Sequence, residues 1–82
     1  MRSEQPRTLA DLRVGDEGVV ADVGGDRGVA RRLMEMGVLP GTRLRIARVA
    51  PLGDPIEIRL RSYSLSIRRA EARSVRISVP TR

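Results

Sequence analysis

Apolar residues in the second half of the chain fall mostly on every second position, the signature of half-buried strands. The clearest run is Ile56–Arg61, where Ile56, Ile58 and Leu60 alternate with Glu57, Arg59 and Arg61. Leu44 and Ile46 alternate with Arg43 and Arg45 in the same way, predicting a strand over Arg43–Ala50. There the phase slips, because Ala47 and Val49 take the opposite parity, and a bulge near Ala47 accounts for it. Leu65 with Ile67, and Val75 with Ile77 and Val79, mark two later strands. Glu17–Val23 reads as the first strand, with Val19, Ala21 and Val23 on one face and Val20 on the other.

One segment departs from period two. Val29, Leu33 and Met36 recur at helical spacing and predict a helix over Arg27–Met36, capped by Asp26 and ended by Gly37. Leu39-Pro40-Gly41-Thr42 fits a type II turn, with proline second and glycine third. Single helical turns are expected at Leu9–Leu12, plugging one end of the core, and at Arg69–Arg73. Five short strands at close spacing and one helix predict a mostly β domain, a small barrel that closes its edges.

The chain has 82 residues, which fits a single domain over residues 8–79, with a flexible N-terminus at 1–7 and a tail at 80–82. It contains no cysteine and no histidine, so the commonest general base and the commonest soft or borderline metal ligands are missing together. No lysine is present to serve a phosphate loop, and no histidine can activate a serine. Catalysis, a cofactor and a tight metal site are therefore not expected. The carboxylates Asp16, Glu17, Asp22, Asp26 and Asp54 sit beside glycines or turns, where such residues serve caps. Tyr63 is the sole aromatic residue, too little for an aromatic groove that reads polyproline. Neither a signal peptide nor an apolar span of about 20 residues is evident, so a cytoplasmic location is expected.

Arg32-Leu33, Met36-Gly37, Pro40-Gly41, the run Ala50-Pro51-Leu52-Gly53-Asp54-Pro55-Ile56, Leu65 with Ile67-Arg68, and Glu71-Ala72 follow one another in an order and spacing that resembles the FeoA family. The resemblance extends from about Leu9 to Val79. It implies a five-stranded SH3-like barrel with one inserted helix. It also implies an accessory of bacterial ferrous iron transport, whose partner is FeoB, the membrane transporter with a cytosolic G-protein domain. A related domain ends the DtxR-type iron-dependent repressors. A basic nucleic-acid-associated or regulatory domain of that kind is the alternative reading, since the net charge is +6.

Two surfaces are candidates for partner binding, and self-association is a further use for either. If the strands at Arg43–Ala50 and Ile56–Arg61 form a hairpin, Arg45 lies opposite Arg59 and Arg43 opposite Arg61 on its outer face. Directly opposed like charges are mildly destabilising. They make either a solvated face or a docking stripe for an anionic partner. The second candidate is an apolar patch of Met34, Val38 and Leu39 beside Arg31. Pro51, Leu52, Gly53, Asp54 and Pro55 are expected to form a stiff structural loop, with Gly53 in a backbone conformation that side chains disfavour.

Overall fold

The computed structural model describes residues 7–78. Strand β1 (Arg7–Thr8) leads into a 3₁₀ turn at Leu9–Asp11, then β2 (Glu17–Val23), helix α1 (Arg27–Glu35), β3 (Arg43–Val49), β4 (Ile56–Arg59), β5 (Ser64–Ile67), helix α2 (Arg69–Ala72) and β6 (Val75–Ser78). All strand pairs are antiparallel, in the order β1-β6-β2-β3-β4-β5. Arg7, expected in the N-terminal tail, instead pairs with Ile77 and adds a sixth, two-residue strand. Val79 and the expected tails at 1–6 and 80–82 lie outside the described residues.

The inward faces of the strands form one aliphatic core. Val20, Leu44, Ile46, Ile56, Ile58, Ile67, Val75 and Ile77 meet there with Leu33 of α1 and Ala72 of α2. Leu9 and Leu12, from the 3₁₀ turn and its end, close the core as expected. Burying each large aliphatic side chain stabilises the fold by roughly 1.5–3 kcal/mol. Among the described residues no charged or polar side chain is buried.

The expected bulge on β3 is present, where the pairing with β4 skips Ala47 between Ile46 and Arg48. A second bulge corrects the reading of β2. Val20 pairs with Ile77 and Asp22 with Arg76, so Ala21 is an extra residue and the phase shifts there. Val20 is therefore the fully buried residue, Val23 packs on the core edge, and Ala21 is exposed. Simple alternation placed Val19, Ala21 and Val23 together because it contained no bulge. Strand β4 stops at Arg59, two residues earlier than its alternation implied, since Leu60 and Tyr63 close the turn into β5 with a 2.7 Å backbone bond.

Helix α1 is fixed at both ends by its own sequence. The Asp26 carboxylate accepts the Val29 N–H at 3.1 Å, satisfying one of the free donors of the first turn. At the other end Gly37 has φ +103°, its N–H reaches the Met34 carbonyl at 3.0 Å, and the Val38 N–H reaches the Leu33 carbonyl at 3.0 Å. These paired bonds form a Schellman cap, in which the residue after the glycine folds back onto the helix.

Candidate functional site

The outer face of the β3–β4 hairpin carries the arginine stripe. Arg45 lies directly opposite Arg59, and the inward pair Ile46–Ile58 beside it fixes that register through the core. A one-residue slip would turn these isoleucines to solvent, so core packing forces the two arginines together. On its other side Arg45 faces Glu17 of β2. Arg61 lies in the turn beyond β4, so the expected Arg43–Arg61 ladder pair does not form. All four arginines nevertheless line one open groove of about 920 Å³, with Leu39 and Tyr63 on its apolar side. Arg43 stands 3.8 Å from Glu17. Among the described residues Arg45, Arg59 and Arg61 have no ion-pair partner.

Tyr63 organises the far wall of this groove, a role that sequence reasoning missed. Its hydroxyl donates to the Met36 carbonyl at 2.6 Å, one of the acceptors left free at the end of α1. The hydroxyl oxygen passes so close to Gly37 that a Cβ there would collide with it. The available signal was the lone aromatic residue in a tight turn, but its target lies 27 positions away in the chain.

The second expected patch is divided. Val38 is completely buried, because the Schellman cap turns it into the core against Leu33, and it offers nothing to a partner. That correction was readable from Gly37, since the residue after a left-handed cap commonly packs back on its helix. Leu39 is exposed and belongs to the arginine groove. Met34 and Arg31 line a different groove, between α1 and the Val23–Gly25 end of β2.

The Ala50–Pro55 connection divides in another way. Gly53 has φ +89° and donates to the Ala50 carbonyl at 2.7 Å, closing a turn with Pro51 at its second position. Asp54 accepts the Arg69 N–H at 3.0 Å, supplying the cap for α2 that Arg68 cannot. The Arg69 guanidinium then donates to the Gly53 carbonyl at 2.8 Å and to the Ala10 carbonyl at 2.9 Å. One side chain thus ties the loop, α2 and the N-terminal 3₁₀ turn together. Leu52, expected as part of the structural frame, projects from it 95% exposed, and Pro51 and Pro55 are also exposed. An ion pair between Arg32 and Glu71 links α1 to α2.

Among the described residues no three carboxylates gather as a metal-binding group. Among them, too, no helix is long and apolar enough to cross a membrane.

Comparison with known proteins places this architecture. A segment of the Porphyromonas gingivalis Fe(2+) transport protein A/Fe(2+) transporter FeoB fusion protein is 38% identical over 72 residues, 87% of this chain. The chain spans 8% of that relative's length. The solution structure of FeoA from Chlorobium tepidum superposes with a TM-score of 0.85 at 37% identity, over 92% of this chain and 71% of that one. Stenotrophomonas maltophilia FeoA, solved with zinc and described as a prokaryotic SH3 domain protein, matches with a TM-score of 0.77 at 28% identity, over 88% and 89% of the two chains. Residues 7–79 match the FeoA domain family as a whole. With that match, an SH3-like sheet and an inserted helix, the chain belongs to the FeoA family.

Proposed function

We propose that this protein is a noncatalytic cytoplasmic accessory of bacterial ferrous iron uptake that docks on the cytosolic part of a FeoB-type transporter through the arginine groove. The observation that carries this reading is the fusion of FeoA and FeoB segments in one P. gingivalis polypeptide. A covalent link holds two modules at high effective concentration, an arrangement that favours modules acting on one another. The groove supplies matching chemistry. Leu39 and Tyr63 offer apolar contact, and Arg43, Arg45, Arg59 and Arg61 give a cationic rim suited to an acidic protein surface. Nucleic acid fits this groove less well. Single strands are usually held on aromatic platforms, and Tyr63 is the one ring in the chain, with its hydroxyl committed to Met36.

The test is binding of the transporter's cytosolic G-protein domain to wild-type protein and to Arg45→Glu and Arg59→Glu variants, at low and moderate salt. Charge reversal should slow association on the order of tenfold at low salt and flatten the salt dependence. Unchanged kinetics in both variants would exclude the groove, and no binding of the wild type would exclude the docking itself.

A further inference from the structure

The two ends of the sheet are finished differently. On one side the described part of β1, Arg7–Thr8, runs directly into the 3₁₀ turn at Leu9–Asp11, which ends pairing at that edge. On the other side β5 ends the sheet with the sequence Ser64-Leu65-Ser66-Ile67. It has no proline, charge or bulge, the devices by which natural edges avoid pairing. Both bulges lie on interior strands, at Ala21 and Ala47.

The register determines which backbone groups of β5 are unused. The Leu60 N–H bonds to the Tyr63 carbonyl at 2.7 Å, so Leu60 and Tyr63 face each other as a hydrogen-bonding pair. Counting outward from this turn, Ile58–Leu65 and Ile56–Ile67 are bonding pairs, whereas Arg59–Ser64 and Glu57–Ser66 are non-bonded pairs. The N–H and C=O groups of Ser64 and Ser66 therefore point away from β4, out of the sheet edge. No bond from either serine to another described residue closes that edge. On the inner face Leu65 is only half-buried, while Ile67 beside it is buried. On the outer face Arg59 stands across from Ser64, and the exposed Arg61 and Arg68 bracket the strand.

We infer that β5 is a strand-addition site that accepts an extended segment of a partner protein, with an apolar residue facing Leu65 and an acidic residue beside Ser64. Main-chain bonds to Ser64 and Ser66 supply affinity, completion of the sheet over Leu65 supplies apolar burial, and Arg59 and Arg61 select the negative charge. Strand addition rests on the register and composition of β5 and not on the identity of the transporter, whereas the preference for an acidic segment shares Arg59 and Arg61 with the arginine groove.

Amide hydrogen exchange of the full chain, read residue by residue by NMR, tests it. In dilute free protein the Ser64 and Ser66 amides should exchange rapidly while Leu65 and Ile67, bonded to β4, are protected. A blocked synthetic peptide of alternating Glu and Val should slow exchange at Ser64 and Ser66 at least tenfold, and a Lys-Val peptide should not. Ser66→Pro removes an outward N–H without touching the β4 ladder, so it should keep the Leu65 and Ile67 protection and lose the peptide effect. If the proline variant does not fold, the wild-type exchange pattern still decides. Protection of Ser64 and Ser66 in the free protein would mean that the chain's own ends or a second copy already fill the edge, and would overturn the inference. So would failure of the Glu-Val peptide to slow them, or equal slowing by the Lys-Val peptide.

Discussion

Arginine does opposite work at two places in this molecule. At the Ala50–Pro55 end, Arg69 is half-buried, and its guanidinium is held by two backbone carbonyls from segments 43 positions apart in the chain, Gly53 and Ala10. In the groove, Arg45 and Arg59 are exposed and opposed, and no described carboxylate pairs with either. The first arrangement exchanges hydration for several directed bonds and fixes the chain. The second adds a small repulsion to the free protein and leaves donors for something outside it. Residue type and charge are the same, so the neighbours alone decide which arginine is structural.

The contrast can be broken by substitution. Arg69→Ala should lower stability most, by about 2–3 kcal/mol in urea denaturation, because it leaves the Gly53 and Ala10 carbonyls without their donor. A loss below about 0.5 kcal/mol would show that the bonds to Arg69 do not hold the loop. Gly53→Val should cost roughly 1–2 kcal/mol, since a β-branched residue is strained at positive φ; an unchanged melting temperature would refute the backbone role assigned to Gly53. Tyr63→Phe removes only the bond to the Met36 carbonyl. It should cost about 0.5–1.5 kcal/mol, with faster amide exchange at the α1 C-terminus as the diagnostic. Arg45→Ala should change stability by less than about 0.5 kcal/mol, and a small gain would agree with relief of the Arg45–Arg59 repulsion. If Arg45→Ala destabilised the fold as much as Arg69→Ala, the two regions would not differ in kind.

The fold was largely legible because its signals are local. The alternation of Ile56, Ile58 and Leu60, the Asp26 cap and the glycine after Met36 each act within a few residues. The bulge at Ala47 was also readable, since the apolar phase changes there. The bulge at Ala21 was hidden because valine and alanine fill both phases of β2, so only its pairing with β6 shows the shift. The candidate site was legible in part. Arg45 opposite Arg59 follows from keeping the isoleucines inward, whereas Arg61 was misplaced once β4 gave way to the turn.

By itself, then, the sequence determined the strand and helix pattern, the helix ends, the positive charge without histidine or cysteine, and a family resemblance centred on the Ala50–Pro55 run. These depend on neighbours in the chain or on composition. Tertiary structure alone decided that Leu52 is surface, that Tyr63 closes α1, and that Arg69 is a clasp among sixteen arginines. It also left the edge groups of Ser64 and Ser66 without a partner among the described residues. Each of these outcomes depends on which distant segment arrives beside the residue, and a chain of short strands brings such segments together only when the whole sheet forms.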